Sequence, residues 1–243
     1  MRPAGRPAGS PGIVHRMTSL DGSVVLVVGA SGGLGRRIAT HLAEAGAVVV
    51  RAGRDPQHLT GPDAYLADLT EPSGGASLVA AALQAHGRLD GVVIAAGVVA
   101  FGPAGELDDA TLDELFETNA KAPIRILRAA LPSLLEAAAA GRGPFVVTLS
   151  GVVSESPTAG MAAYSASKAA LAAFVQAAGR ELRRQGVRLL DARPGHTATD
   201  LSLHPLAGTA PAFGQGLDPD QVAARIVRAI VDGEKDLPSA AFG

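Results

Sequence analysis

Residues 24–40 read VVLVVGASGGLGRRIAT. The five apolar residues Val24–Val28 have the length and composition of a strand buried on both faces. Glycines follow at 29, 32, 33 and 35, and a helical pattern then runs over Gly35–Ala45 and stops at Gly46. Glycines at that spacing let the backbone turn tightly between strand and helix. They also let a pyrophosphate approach the helix N-terminus, where free N–H groups and the dipole favour anions. A nucleotide site is expected there. No Gly-Lys-Ser/Thr follows, so this is not a P-loop.

Working outward, short apolar runs keep alternating with helical patterns. Strands are expected at 47–51, 64–67, 92–96, 145–149 and 187–192, with a short last one at Leu237–Phe242. Helices are expected at 72–86, 107–140, 160–185 and 219–232, the second of these interrupted by Pro123 and Pro132. This is the pattern of an α/β, doubly wound parallel sheet (Rossmann-like), joined by right-handed crossovers and covered by helices on both faces. A length of 243 residues with no second composition break fits a single domain over 20–243. Residues 1–19 are rich in Pro and Gly, carry three Arg and no acid, and lack the apolar segment of a signal peptide. They read as a disordered N-terminal extension, with Met17 as an alternative start.

Composition narrows the function. With 21 Lys+Arg against 23 Asp+Glu, the net charge of −2 argues against a general nucleic-acid or anionic-membrane binder. There is no cysteine, which removes disulfide and thiolate chemistry. The six histidines show no ligand spacing, so no metal is expected. No apolar run is long enough to span a membrane, and the expected location is cytoplasmic. The chain is poor in Lys, Tyr and Asn: three, two and one respectively. Under such a bias, the survivors Asn119, Tyr164 and Lys168 mark positions worth inspecting.

The Gly29/Gly33/Gly35 spacing resembles the short-chain dehydrogenase/reductase family in its compact single-domain form. The resemblance extends through Asp68-Leu69, Ala96-Gly97, Asn119, Tyr164-Ser-Ala-Ser-Lys168 and Pro194-Gly195, in that order. It implies cofactor contacts from Gly29, Ser31, Gly32, Gly33, Leu34 and Gly35 in the first turn. Asp68 and Leu69 would meet the adenine, Ala95, Ala96 and Gly97 would line the cofactor, and Pro194, Gly195, Thr197 and Thr199 would cover the nicotinamide. Tyr164 and Lys168 stand four residues apart on a helix and face the same way. A nearby ammonium stabilises the phenolate and makes Tyr164 a usable general acid/base. By family implication, Lys168 also holds the nicotinamide ribose and Asn119 supports a proton relay.

Two departures stand out. The usual Asn-Asn-Ala-Gly is Ile94-Ala95-Ala96-Gly97 here. The family's catalytic serine falls on Gly151, with Ser150 beside it. Because one residue of slip turns a side chain to the other face, Ser150 serves only if the strand end bulges. It is the favoured hydroxyl, Ser154 is the second, and the Gly151 N–H is a third donor.

After the second strand comes Arg51-Ala52-Gly53-Arg54. An NAD site would place a carboxylate at position 53, whereas Arg54 can pair with a 2′-phosphate, so NADP is expected rather than NAD. Val98, Val99, Phe101, Val152, Val153, Leu201, Leu203, Leu206 and Phe213 point to an apolar pocket for a neutral carbonyl or alcohol, under a lid at His196–Leu217. The expected activity is NADP(H)-dependent interconversion of a carbonyl and a secondary alcohol. A nucleotide-binding regulator or a scaffold on the same fold are the alternatives. Family members are usually homodimers or homotetramers, and the family's Gly-rich C-terminal end is not evident here.

Overall fold

The computed structural model describes residues 17–243. Of the extension expected over 1–19, residues 1–16 lie outside the described residues. Thr18 is buried, its N–H donates to Val231 O (2.9 Å), and its Oγ1 accepts from Arg188. The folded body therefore begins before Leu20.

Six strands form one parallel sheet: β1 (Val24–Val28), β2 (Val48–Gly53), β3 (Ala64–Leu66), β4 (Gly91–Ile94), β5 (Phe145–Leu149) and β6 (Arg188–Ala192). Their spatial order is β3-β2-β1-β4-β5-β6. The order reverses between β1 and β4, which opens a crevice at their C-terminal ends. All five residues of β1 are buried because helices cover both faces. Leu26, Val50, Val92, Val146 and Leu189 point to one side, against α2 (Gly74–His86), α4 (Ala122–Ala139) and α5 (Ala162–Leu182). Val25, Val27, Val93, Val147 and Leu190 point to the other, against α1 (Gly33–Glu44) and α6 (Pro219–Val231). Each fully buried aliphatic side chain stabilises this sandwich by ~1.5–3 kcal/mol. Among the described residues no helix is long and apolar enough to cross a membrane.

Two elements differ from expectation. The helical stretch at 107–140 is α3 (Asp109–Phe116), a π-helical turn (Glu117–Lys121), then α4. The Ala122 N–H reaches back five residues to Glu117 O. Pro123 has no N–H for the carbonyl four residues earlier, so Asn119 C=O receives no α-helical bond. The last strand expected at Leu237–Phe242 does not form. Leu237 makes one bridge to Ala192, and Ser239–Phe242 is a 3₁₀ turn. Pro238 explains the stop, since it cannot donate to a ladder.

Candidate active site

A cleft of about 850 Å3 opens at the C-terminal ends of β1, β4 and β5. The expected cofactor residues Gly29, Ser31, Gly32, Gly33, Leu34, Gly35, Arg54, Asp68, Leu69, Ala95, Ala96, Gly97, Pro194, Gly195, Thr197 and Thr199 all border it, with Tyr164 and Lys168. Its floor is backbone. A Cβ at Gly29 would lie 2.5 Å from Ala96 N, and one at Gly35 would lie 2.2 Å from Gly29 O. The N-terminus of α1 has no side-chain cap and no acid in its first turn. Its N–H groups are left for an anion. The residues present fit a dinucleotide pyrophosphate.

At the outer end, a Cβ at Gly53 would lie 2.4 Å from Ser31 Oγ, a hydroxyl that would have to turn aside. Arg54 is exposed, borders the cleft, and makes no salt bridge among the described residues. Asp68 Oδ1 accepts from Thr70 N (2.9 Å) and Thr70 Oγ1 (2.7 Å), and these bonds hold its carboxyl below the usual range.

At the inner end, Lys168 Nζ donates to Leu149 O (2.9 Å) and lies 5.9 Å from the Tyr164 ring centroid. Burial pulls Lys168 down to about 8 against the opposing charge of Asp191. The phenol does not follow the sequence expectation of a lowered pKa. Burial pushes Tyr164 up to about 12, and Lys168 Nζ donates to the Leu149 carbonyl rather than to the phenol. Asn119 is fully buried behind the cleft wall. Its Oδ1 accepts from Val98 N (3.0 Å), and its Nδ2 donates to Val98 O (2.9 Å) and Ser167 Oγ (3.1 Å). A Cβ at Gly97 would lie 3.1 Å from both Asn119 Oδ1 and Lys168 Nζ, so a glycine there lets the three residues converge.

Three candidate donors, Ser150, Ser154 and the Gly151 N–H, lie at the end of β5. Ser150 and Gly151 both donate their N–H to Ala192 O (3.2 and 3.3 Å), a bulge-like doubling at the end of β5. Even so, Ser150 keeps to the face of Thr148. Its Oγ is fully buried and donates to Asp191 Oδ2 (2.5 Å), while Thr148 Oγ1 donates to Asp191 Oδ1 (2.6 Å). Ser150 borders the cleft, and its hydroxyl, engaged by Asp191, lies 3.0 Å from Ser154 Oγ. Ser154 does not border the cleft and donates to Gly151 O (2.7 Å). Sequence reasoning missed Asp191 altogether. Burial raises its carboxyl, opposed by the Ser150 and Thr148 hydroxyls and by Arg193.

Val98, Val99, Phe101, Val152, Val153, Leu201 and Phe213 line the cleft, joined by Met161, which the sequence did not single out. Leu203 is exposed and Leu206 packs under Val98, Ala100 and Leu115, so these two leave the expected wall. The expected lid is held at its base by Leu217 N to His196 O (2.8 Å) and Ala198 N to Leu217 O (3.0 Å). It is held near its middle by Leu206 N to Val99 O (2.8 Å). His196 stacks on Phe213 with ring centroids 4.4 Å apart.

The family model for short chain dehydrogenase matches residues 23–205. The chain belongs to the short-chain dehydrogenase/reductase family. In this oxidoreductase family, a curated relative from Danio rerio, dehydrogenase/reductase SDR family member 7B, is 28% identical over 254 residues, covering 95% of this chain and 81% of its own. An uncharacterized oxidoreductase of Staphylococcus aureus (strain MW2) is 31% identical over 224 residues, covering 88% of this chain and 93% of that one. Among solved structures, a 3-ketoacyl-(acyl-carrier-protein) reductase from Brucella melitensis complexed with NADH superposes with a TM-score of 0.82. It is 23% identical, covers 93% of this chain and 100% of that one, and its likeness is one of fold.

Proposed function

We propose that the protein is an NADP(H)-dependent oxidoreductase that interconverts a carbonyl and a secondary alcohol on a small, neutral, largely apolar substrate. One observation carries this reading. Tyr164 and Lys168 stand one helical turn apart where the glycine-floored cleft meets an apolar cluster of Val99, Phe101, Val153, Met161 and Phe213. The dinucleotide would supply hydride at the nicotinamide. The protein's own contribution is orientation and a proton. With its pKa raised, Tyr164 stays protonated at neutral pH and suits the role of acid in carbonyl reduction. Lys168, fixed on Leu149 O, presents its charge beside the phenol and to the cofactor cleft. Asn119, latched to Val98 beside the cleft, would support the proton relay.

The missing carboxylate at Gly53 and the unpaired Arg54 support NADP over NAD. A row of exposed alanines on α5 (Ala162, Ala166, Ala170, Ala173 and Ala177) supports close pairing of two copies. The engagement of the Ser150 hydroxyl by Asp191 favours one second reading, a nucleotide-binding regulator, which would bind NADPH tightly without turnover.

Titration with NADPH and NADH tests the cofactor assignment. The wild type should prefer NADPH, and Arg54→Asp should weaken NADPH by at least about tenfold, or ~1.4 kcal/mol, leaving NADH little changed. Equal wild-type affinity for the two cofactors would sink the assignment.

A further inference from the structure

Thr118 carries the one buried side-chain oxygen without a hydrogen-bond partner among the described residues. The residue is only 5% exposed. Burying an unpaired hydroxyl is unfavourable, and such an atom calls for an explanation. A helical threonine ordinarily returns its hydroxyl to a carbonyl three or four residues back. Here those carbonyls belong to Leu115 and Glu114, and neither bond forms.

The location supplies the explanation. Thr118 borders the cleft. It lies on the π-helical turn Glu117–Lys121, which Asn119 latches to both backbone groups of Val98. That latch holds the turn beside the end of β4, at the crevice where the strand order reverses. An open α/β sheet binds nucleotides in this place. The neighbours of Thr118 on the turn are already satisfied, so the buried hydroxyl is the turn's one uncommitted side-chain donor, on a residue that borders the cleft.

We propose that the Thr118 hydroxyl is a cofactor-binding group, pairing with a hydrogen-bonding atom of the bound nicotinamide dinucleotide. This rests on the dinucleotide reading above. The cofactor-free protein then carries a desolvated hydroxyl that binding relieves. Removing the hydroxyl should therefore move stability and affinity in opposite directions, which a purely structural threonine would not do.

The test uses Thr118→Val, which keeps the shape and removes the hydroxyl, with Thr118→Ser as the variant that retains it. NADPH affinity is read by nicotinamide fluorescence without substrate, and the Tm of the cofactor-free protein is read alongside. Thr118→Val should bind NADPH about three- to tenfold more weakly, the range one neutral hydrogen bond supports. Its cofactor-free Tm should be equal to or above that of wild type. Thr118→Ser should stay within about twofold of wild-type affinity, since the donor remains. Unchanged NADPH affinity in Thr118→Val overturns this inference alone. So does a Tm loss of several degrees accompanying weaker binding, which marks the hydroxyl as structural. If wild type binds neither NADPH nor NADH, the dinucleotide reading falls and the inference falls with it.

Discussion

Around Tyr164 the protein withdraws water from two ionisable groups at once, and both shift toward neutrality. The phenol rises to about 12 and the Lys168 ammonium falls to about 8. Only Lys168 therefore titrates within the working range. Because burial disfavours its charged form, Lys168 is protonated below about pH 8 and loses its proton above it. The kcat/KM for NADPH-dependent reduction should be flat near neutrality and fall above about pH 8, since this ratio reports the free protein. Asp191→Asn removes the negative charge that holds Lys168 up, so the falling limb should move to lower pH. A profile flat to pH 10 in wild type would contradict this assignment. The Tyr164–Lys168 pair was legible because both residues are rare in this chain and sit on one helix. Asp191 was not legible. It lies inside the apolar run RLLDA, and its partners are Thr148 on the neighbouring strand and Ser150 just past that strand's end, so only the register of β5 on β6 brings them together.

Strand ends and helix starts are where the elements carry function. Gly151, just past β5, has φ +71° and ψ 167°, a region open essentially to glycine alone. Space is not the obstacle, because a Cβ there would meet only Pro194 O at 3.7 Å. Gly151→Ser should therefore lose ~1–3 kcal/mol in chemical denaturation through backbone strain. It should bring no gain in turnover per folded molecule. A stable Gly151→Ser variant with higher kcat would show that the strand end relaxes and that the wild type lacks only the hydroxyl. The alternation of apolar runs with helical patterns made β1 to β6 readable. The π-helical turn was not readable, although Pro123 marked where the helix had to break. The missing last strand is the clearer lesson: Leu237–Phe242 is apolar enough, but Pro238 interrupts the donor row one residue in.

Across the whole molecule, the strand order reverses between β1 and β4, and the cleft spans from Arg54 to Phe213 over that line. A parallel sheet buried on both faces is written in the chain as near-continuous apolar strands, so the architecture and the glycine turn could be read from spacing, while most other residues at that end of the cleft were named through the family resemblance. The substrate end could not. Its wall is assembled from four separate segments, and the lid's turn toward Val99 removed Leu203 and Leu206 from it. The account's central claim is that this assembled cleft reduces a neutral carbonyl with Tyr164 as the proton donor. The measurement that tests it most directly follows NADPH absorbance with a panel of apolar ketones and aldehydes, comparing wild type with Tyr164→Phe. Wild type should consume NADPH with at least one of them. Tyr164→Phe should lose at least about a hundredfold in turnover, the scale of general acid catalysis, while NADPH affinity stays within about twofold. Turnover in Tyr164→Phe equal to wild type on the same carbonyl would contradict the account.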